Sequence, residues 1–134
     1  MKIRKATSKD IDECLEIQKL WEDNFNDKSD FKSSIQNKDA FFLVAIDKNK
    51  VIGFITGCRN LVKRNEAYLQ QTMVNQKMKR KGIGKKLVQA FSRHLKNKGV
   101  KIIFTELEKE HISFYIKSCK FKDRGHHTLA MKKL

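Results

Sequence analysis

A change of hydrophobic period in the middle of the sequence constrains the fold of this chain more than any other feature. Residues 66–74 (EAYLQQTMV) predict a β-strand. Helical periodicity then takes over, because apolar side chains recur one turn apart over residues 83–95, and Gly99 stands where it can end a helix. The chain is therefore expected to fold here as a strand, a short loop and a helix in direct succession.

The loop between this strand and this helix is a candidate anion site. The first N–H groups of a helix lack intrahelical partners and the helix dipole is positive there, while glycine lets a ligand approach the backbone without a Cβ clash. The two glycines of the loop, Gly82 and Gly84, are surrounded by the bases Lys79, Arg80, Lys81 and Lys85. Glycines that admit a ligand and bases that hold it suit a phosphate group.

Two common phosphate-binding templates do not fit this loop. The P-loop pattern GxxxxGK[ST] is absent from the sequence. A dinucleotide-binding GxGxxG pattern would need a third glycine where Leu87 stands, and its strand should run almost directly into the first glycine. Here residues 75–81 separate the strand from Gly82, so a Rossmann fold is not expected.

The remaining patterns supply the other elements of one domain over residues 1–134. No proline, repeat or low-complexity linker interrupts the chain, and a hydrophobic content of 40% suffices for one modest core. The expected elements are a strand over 2–7, a helix over 11–21 with Ser8 as its N-cap, a helix over 30–36, a hairpin of strands 41–46 and 51–58, a strand over 101–105, a short helix over 111–117, and a closing strand pair over 121–125 and 128–134.

Two segments resemble the GNAT acetyltransferases. The stretch VNQKMKRKGIGKKLV, residues 74–88, resembles motif A of that family, a valine-ended strand and a short loop before [QR]xxGx[GA] at a helix start; Lys79 stands where Gln or Arg is usual and Gln76 where proline is common. Downstream, EKEHISFYIKSCKF resembles the segment NxxAxxFYxKxGF, with Tyr115 and Phe121 on its tyrosine and phenylalanine. Glu108 and Lys120 replace the usual Asn and Gly.

The resemblance implies a fold, a co-substrate and a reaction. The fold is α/β (α+β), the GNAT acyl-CoA N-acyltransferase fold, with a central mixed, mostly antiparallel sheet flanked by about four helices and splayed between strands 4 and 5. The reaction is direct transfer of an acetyl group from acetyl-CoA to a primary amine. The implied coenzyme-binding residues are Met73, Val74, Lys79, Arg80, Lys81, Gly82, Ile83, Gly84, Lys85 and Glu108.

The resemblance also implies two catalytic roles. Tyr115 would lie on the short helix beside the thioester and protonate the leaving thiolate. Because an ammonium has no lone pair, the amine must lose a proton before it attacks. Glu106, after the strand beside the splay, is the first candidate base and Glu66 is the second. Cys119 lies near Tyr115, but it is expected to be a small packing residue rather than a nucleophile.

The charge distribution leaves a second class of function open. The net charge is +15, yet residues 1–47 hold ten acids against eight bases, so the basicity belongs to the rest of the chain. A non-catalytic basic module that binds CoA or nucleic acid is the alternative. Nucleic acid is not favoured, because Phe91 is the sole aromatic residue between Lys77 and Lys101 and it falls on the apolar stripe of the helix.

Other partners are constrained more weakly. Residues 21–31 (WEDNFNDKSDF) carry Glu22, Asp23, Asp27 and Asp30 where the family usually lines its acceptor cleft, which predicts a cationic acceptor: a lysine side chain, a protein N-terminus, a polyamine or an amino sugar. The three cysteines and four histidines lack the spacing of a metal site. No apolar run reaches a membrane span and no signal peptide is evident, so a cytoplasmic location is expected. A homodimer stays an open alternative to a monomer.

Overall fold

Five strands and three longer helices make up the fold of this computed structural model, which describes residues 1–78 and 80–134. The strands are β1 (Lys2–Lys5), β2 (Ala40–Asp47), β3 (Lys50–Arg59), β4 (Glu66–Val74) and β5 (Ile102–Phe104), and the helices are α1 (Ile11–Leu20), α2 (Lys28–Gln36) and α3 (Ile83–Asn97). Short 3₁₀ turns cover Ser8–Asp10, Gln76–Met78 and Lys109–His111, and a π-helical segment covers Ser113–Ser118.

The sheet has the order β1-β2-β3-β4-β5 and is mixed. Neighbours are antiparallel except for β4 and β5, which are parallel and pair only where Glu66–Tyr68 faces Ile102–Phe104. The Thr105 hydroxyl still donates to the Leu69 carbonyl at 3.0 Å, and beyond it no described pairing joins β5 to the rest of β4. The expected splay between strands 4 and 5 is therefore confirmed.

Helices cover the two faces of the sheet in separate layers. α1 and α2 pack on one face, where the fully buried Phe31 stacks on Phe42 at 5.1 Å and meets Phe54 edge-on at 5.4 Å between ring centroids. α3 packs on the other face through Phe91. A Cβ atom at Gly57 would lie 2.6 Å from the Phe91 ring and would strike the carbonyl of Tyr68, so close packing of α3 requires glycine there.

The first two helices begin with capping residues that the sequence identified only in part. The N-cap of α1 was expected at Ser8, but Asp10 holds that position, and Ser8 instead opens a 3₁₀ turn whose own N-cap is Thr7. The Thr7 N–H donates to the Asp10 carboxylate at 2.7 Å, which closes the cap. α2 begins two residues earlier than expected, because Asp27 accepts from the N–H of Asp30 at 2.8 Å.

The closing strand pair expected over 121–125 and 128–134 is wrong. In the described chain no strand follows β5, and the side chains of residues 122–134 are exposed. Phe121 ends the ordered packing by donating its N–H to the Tyr115 carbonyl at 2.9 Å. A strand needs the edge of another strand as a partner, and this tail pairs with none of the described strands.

Candidate active site

The second half of β4 presents backbone that no other strand covers on its β5 side. After Leu69 the described residues of β5 offer it no ladder partner. Met73 and Val74 lie in this open part and are half-buried, while Phe54 and Gly53 of β3 pair with them on the other side. An extended molecule with amide groups can therefore add to β4 as a further strand would.

The α1–α2 connection reaches this open strand through one side chain. The indole Nε1 of Trp21 donates to the carbonyl oxygen of Val74 at 2.7 Å. Trp21 is partly exposed, and its hydrogen bond holds the connection at the end of β4, although the two residues are 53 positions apart in the sequence. The α1–α2 connection and β4 therefore meet at Val74, the last residue of the strand.

The start of α3 provides backbone N–H donors for which the described part of the helix supplies no acceptor. Gly82 is the N-cap in a left-handed conformation (φ +75°), has no side chain to cap the helix, and accepts the first helical hydrogen bond from the N–H of Lys86 at 3.1 Å. The N–H groups of Ile83, Gly84 and Lys85 precede that bond, so a bound anion is a suitable acceptor for them. The bases Arg80, Lys81 and Lys85 are exposed around this point, and Lys79 lies outside the described residues.

Gly84 lies where three parts of the site meet. A Cβ atom there would approach the Phe114 ring to 3.2 Å and the Val74 side chain to 3.8 Å. The start of α3 therefore touches both the end of β4 and the π-helical segment. A bulky residue at position 84 would therefore disturb this packing as well as any ligand.

Tyr115 places its hydroxyl beside the open strand. The side chain is 8% exposed, and its hydroxyl lies 3.1 Å from Oγ1 of Thr72. The Phe114 and Phe121 rings meet the Tyr115 ring edge-on at 4.8 and 5.6 Å between centroids, which fixes its direction. Burial raises the pKa of Tyr115 above its ordinary value although the hydrogen bond with Thr72 opposes this, so the phenol keeps its proton at neutral pH.

The candidate carboxylates occupy different positions along the sheet. Glu106 follows Thr105 where β4 and β5 diverge, and its side chain is exposed. Glu108 is also exposed and precedes the 3₁₀ turn Lys109–His111. Glu66 opens β4, six positions before Thr72 and thus about 20 Å away along the strand, so it cannot take a proton beside Tyr115.

The α1–α2 connection is tied to β4 by a network of amide side chains. Gln18 and Gln71 are buried; Gln71 accepts from the Asn26 amide at 2.7 Å and donates to Gln18 at 3.2 Å. Asp23 accepts from the N–H of Phe25 at 2.7 Å. Asp27 forms the N-cap of α2, so at least one of the acidic residues in 21–31 has a structural role.

Two cavities flank the end of β4 and the start of α3. The cavity on the α1 side has a volume of about 350 Å³ and lies beside Glu13, Glu16, Ile17, Leu20, Lys50, Val51 and Asn75. The cavity on the α3 side has a volume of about 530 Å³ and lies beside Lys85, Val88, Gln89, Ser92, Arg93, Ser118, Cys119 and Lys120. The first contains two carboxylates and the second is basic, so the two sides of the site differ in charge.

The thiols of the chain are poor candidates for nucleophiles. Burial raises the pKa of Cys119 although the charge of Lys85 opposes this, so the thiolate is scarce at neutral pH. Cys14 is buried in the core, and burial raises its pKa further. Among the described residues, no group of three His, Cys, Asp or Glu side chains could hold a metal, and no helix there is long and apolar enough to span a membrane.

The sequence and the fold agree on the family. The family model described as Acetyltransferase (GNAT) family matches residues 7–121, so the chain belongs to that family. No curated protein matches the sequence.

Three solved structures illustrate the likeness of the fold. An aminoglycoside acetyltransferase from an uncultured soil metagenomic sample, in complex with sisomicin, is 21% identical with a TM-score of 0.79 over 98% of this chain and 96% of that chain. The aminoglycoside N-acetyltransferase AAC(6')-Iy in complex with CoA is 16% identical, with a TM-score of 0.81 over 99% and 100%. Glucosamine-6-phosphate N-acetyltransferase from Arabidopsis thaliana is 18% identical, with a TM-score of 0.76 over 99% and 97%.

The π-helical segment explains how this chain departs from the second family pattern. In NxxAxxFYxKxGF the phenylalanine follows the tyrosine by five positions, whereas Phe121 follows Tyr115 by six. The N–H of Cys119 donates to the Phe114 carbonyl at 3.0 Å, a wider turn that accommodates one extra residue. Lys120, which stands at the glycine of that pattern, then has a φ of +63°, a left-handed conformation that favours glycine.

Several residues of the site were missed by sequence reasoning. Thr72, Phe114, Gln71 and Trp21 reach it from β4, the π-helical segment and the α1–α2 connection. The strand pattern of β4 could have indicated Thr72, because alternation puts Thr72 and Val74 on the same face. For Trp21 the sequence offers no comparable signal.

Proposed function

We propose that this chain transfers the acetyl group of acetyl-CoA directly to a primary amine, with a cationic amine as the preferred acceptor. The observation that carries the proposal is the position of the open half of β4. That strand lies between a basic, glycine-capped helix start and the buried Tyr115 hydroxyl. This arrangement can bind a phosphate group at the helix start and an extended chain of amides along β4, and it places the Tyr115 hydroxyl where it can protonate a leaving thiolate.

The start of α3 is the proposed pyrophosphate site. The N–H groups of Gly84 and Lys85 have no helical acceptors, and the exposed bases around them supply the charge. The open backbone of Met73 and Val74 would bind the pantetheine arm, whose amides repeat like those of a peptide. Trp21 already occupies the Val74 carbonyl, so the arm must share that acceptor or displace the indole.

Tyr115 is the proposed general acid. The amine attacks the thioester carbonyl, a C–N bond forms, and the C–S bond breaks as the tetrahedral intermediate collapses. The sulfur then leaves as a thiolate, which takes the phenolic proton of Tyr115. Because Thr72 lies at hydrogen-bond distance from the same hydroxyl, it orients the phenol toward the opening between β4 and β5.

The general base is proposed to be Glu106, directly or through water. It stands where the strands diverge and remains accessible to solvent, so a water chain can reach it. Glu108 is proposed to contact the coenzyme from the same connection after β5.

The acceptor is proposed to approach from the side of α1. Glu13 and Glu16 lie beside the cavity there, and Asp23 lies on the adjoining connection. These carboxylates favour an ammonium or a polyamine over an anion. Structurally similar proteins are an aminoglycoside acetyltransferase and a glucosamine-6-phosphate N-acetyltransferase by name, so amino sugars deserve the first test.

Release of free CoA thiol tests the proposal. Acetyl-CoA is mixed with the protein and a panel of amino sugars, polyamines, lysine peptides and acidic amines, and thiol release is compared with the amine omitted. We expect amine-dependent release with a cationic acceptor. Best activity with an anionic amine would contradict the acceptor assignment.

A pair of binding titrations separates the enzyme from a basic binding module. Acetyl-CoA should bind at physiological salt, whereas an oligonucleotide bound only through charge should lose affinity steeply as salt rises. Tight, salt-resistant oligonucleotide binding without amine-dependent thiol release would favour the binding module instead.

A further inference from the structure

The turn between β3 and β4, residues 60–65, presents two neighbouring apolar side chains to solvent. Leu61 is 74% exposed and Val62 is 88% exposed. Neither side chain belongs to the two buried clusters on the faces of the sheet. Single exposed apolar residues are ordinary, but an adjacent pair that projects from a turn marks a place where another surface packs.

Hydrogen bonds within the turn hold this pair outward. The Asn60 side-chain oxygen accepts from the N–H groups of Val62 at 2.9 Å and Lys63 at 2.8 Å. The Asn60 N–H donates to the Glu66 carbonyl at 2.9 Å, and the Glu66 N–H donates to the Lys63 carbonyl at 3.0 Å. The backbone of the turn is therefore already ordered, so a contact through Leu61 does not have to order it first.

The turn is joined to the neighbouring elements at the same end of the sheet. The Arg59 guanidinium donates to the Lys98 carbonyl at 2.6 Å, which links the end of β3 to the end of α3. The N–H of Lys101 donates to the Asn65 carbonyl at 2.7 Å, which links the turn to the start of β5. The end of α3 and the start of β5 therefore lie beside the turn.

This end of the sheet is strongly basic. The bases on the turn and on the elements beside it include Lys38, Arg59, Lys63, Arg64, Lys98 and Lys101. Two carboxylates lie among them, and one of these, Asp39, is paired with Arg64 at 2.7 Å. The exposed apolar pair is thus surrounded by an excess of positive charge.

The turn lies far from the candidate active site. β4 begins at Glu66, directly after the turn, and ends at Val74 beside the start of α3. The two ends of this strand are about 26 Å apart. A surface that meets the turn therefore leaves the opening between β4 and β5 accessible.

We propose that the β3–β4 turn binds the surface of an anionic lipid bilayer. Leu61 and Val62 enter the apolar layer below the headgroups, and the surrounding bases lie against the headgroup phosphates and carboxylates. An apolar layer behind a layer of negative charge matches an apolar pair surrounded by bases. Nucleic acid would satisfy the bases but offers no apolar layer to the pair. The contact is peripheral, and it does not depend on the proposed acetyl transfer.

Cosedimentation with vesicles provides the first test. The wild-type protein is mixed with vesicles of phosphatidylcholine alone or of phosphatidylcholine with phosphatidylserine. We expect binding to the vesicles that contain phosphatidylserine, little binding to phosphatidylcholine alone, and a decrease in binding as salt is added. Equal binding to the two kinds of vesicle, or binding to neither, would overturn the proposal.

A pair of double variants tests the role of the apolar side chains. Leu61→Ser with Val62→Ser should weaken binding to the phosphatidylserine vesicles about tenfold to a hundredfold, because two side chains lose their burial in the bilayer. Leu129→Ser with Met131→Ser is the matched control, because these tail residues are similarly exposed, at 83% and 90%. All four side chains lie outside the core, so the melting temperature should not change. Equal losses of binding in the two double variants would contradict insertion of the turn.

A second pair tests the role of charge. Lys63→Gln with Lys101→Gln should weaken vesicle binding about threefold to tenfold, because two bases beside the turn are lost. Lys2→Gln with Lys48→Gln removes the same charge at the other end of the sheet, where Lys2 pairs with Ile46, and should have little effect. Equal losses in these two variants would contradict docking through this end.

An RNA duplex at the same salt concentration tests the competing partner. The proposal predicts that the protein binds the phosphatidylserine vesicles more tightly than the duplex. Tighter binding to the duplex, unaffected by Leu61→Ser with Val62→Ser, would assign the bases to nucleic acid and overturn the proposal.

Discussion

The two sides of the sheet differ in how completely they are bonded. From β1 to β4 the strands pair along most of their length, and α1, α2 and α3 cover both faces with fully buried side chains such as Phe31 and Phe91. Between β4 and β5 the ladder ends after Tyr68, and large apolar groups stay exposed. The proposed active site lies on the incompletely bonded side.

This contrast follows from the different roles of the two sides, ligand binding on the open side and stability on the paired side. A site that binds an extended coenzyme needs unpaired backbone, and unpaired backbone contributes nothing to the stability of the sheet. The fully paired strands must therefore hold the open half of β4 in place. Substitutions in the paired region should change mainly the free energy of unfolding, and substitutions at the opening should change mainly coenzyme affinity or turnover.

The largest effect is expected in the paired region. Phe54→Ala removes a fully buried ring that contacts Phe31 and Phe42, and it should lower the free energy of unfolding by about 3–5 kcal/mol in urea denaturation. Phe104→Ala should cost much less, because this ring is already partly exposed. Equal losses of unfolding free energy in the two variants would contradict the difference between the fully paired strands and the open side of the sheet.

A smaller effect is expected at the start of α3. Lys85→Ala removes one charge beside the unpaired N–H groups and should weaken acetyl-CoA binding by about 1.5–3 kcal/mol at most, as measured by calorimetric titration. Lys96→Ala removes the same charge from the last turn of the same helix and should have little effect. Similar losses in both variants would indicate a diffuse charge effect rather than a phosphate site.

The smallest effect is expected on the acceptor side. Asp23→Asn keeps a side-chain oxygen for the N–H of Phe25 but removes the negative charge. The KM for a cationic amine should rise about twofold to fivefold at unchanged kcat, since a partly solvated ion pair contributes under about 1 kcal/mol. Asp123→Asn serves as the matched control, because Asp123 likewise accepts from an N–H two positions on, that of Gly125, and lies outside the acceptor segment. An equal rise in KM for a neutral amine would argue against charge recognition.

The sequence predicted the elements whose pattern is local. β2, β3, β4 and α3 were identified because runs of β-branched or aromatic residues and a one-turn apolar repeat are visible in short windows. The N-cap of α1 is Asp10 rather than Ser8, because Ser8 lies in a 3₁₀ turn that is capped by Thr7, whose N–H donates to the Asp10 carboxylate. The fold class followed from the order of these elements together with the two family patterns.

Contacts between residues that are distant in the sequence could not be predicted from local patterns. The contact of Tyr115 with Thr72 joins residues 43 positions apart, and that of Trp21 with Val74 joins residues 53 apart. No spacing rule in one sequence indicates such pairs. The tail was misassigned for a related reason: residues 128–134 have a strand-like pattern, but a strand forms only where a partner edge is available.

The pH dependence of turnover gives a further test of the site. Because burial raises the pKa of Tyr115, its proton is retained as the pH rises through the range where an ordinary tyrosine ionises, near pH 10. The account predicts that kcat at saturating substrates shows no alkaline decline from this group below about pH 10. A decline near neutral pH that disappears in Tyr115→Phe would contradict the raised pKa.

The most direct test of the account is the turnover of Tyr115→Phe, measured with saturating amine and saturating acetyl-CoA or a thioester with a poorer leaving thiol. The substitution keeps the ring between Phe114 and Phe121 and removes only the hydroxyl. The account predicts that kcat falls roughly tenfold to a thousandfold while acetyl-CoA affinity and the melting temperature stay nearly unchanged. Full turnover, or a loss matched by a loss of stability, would contradict it.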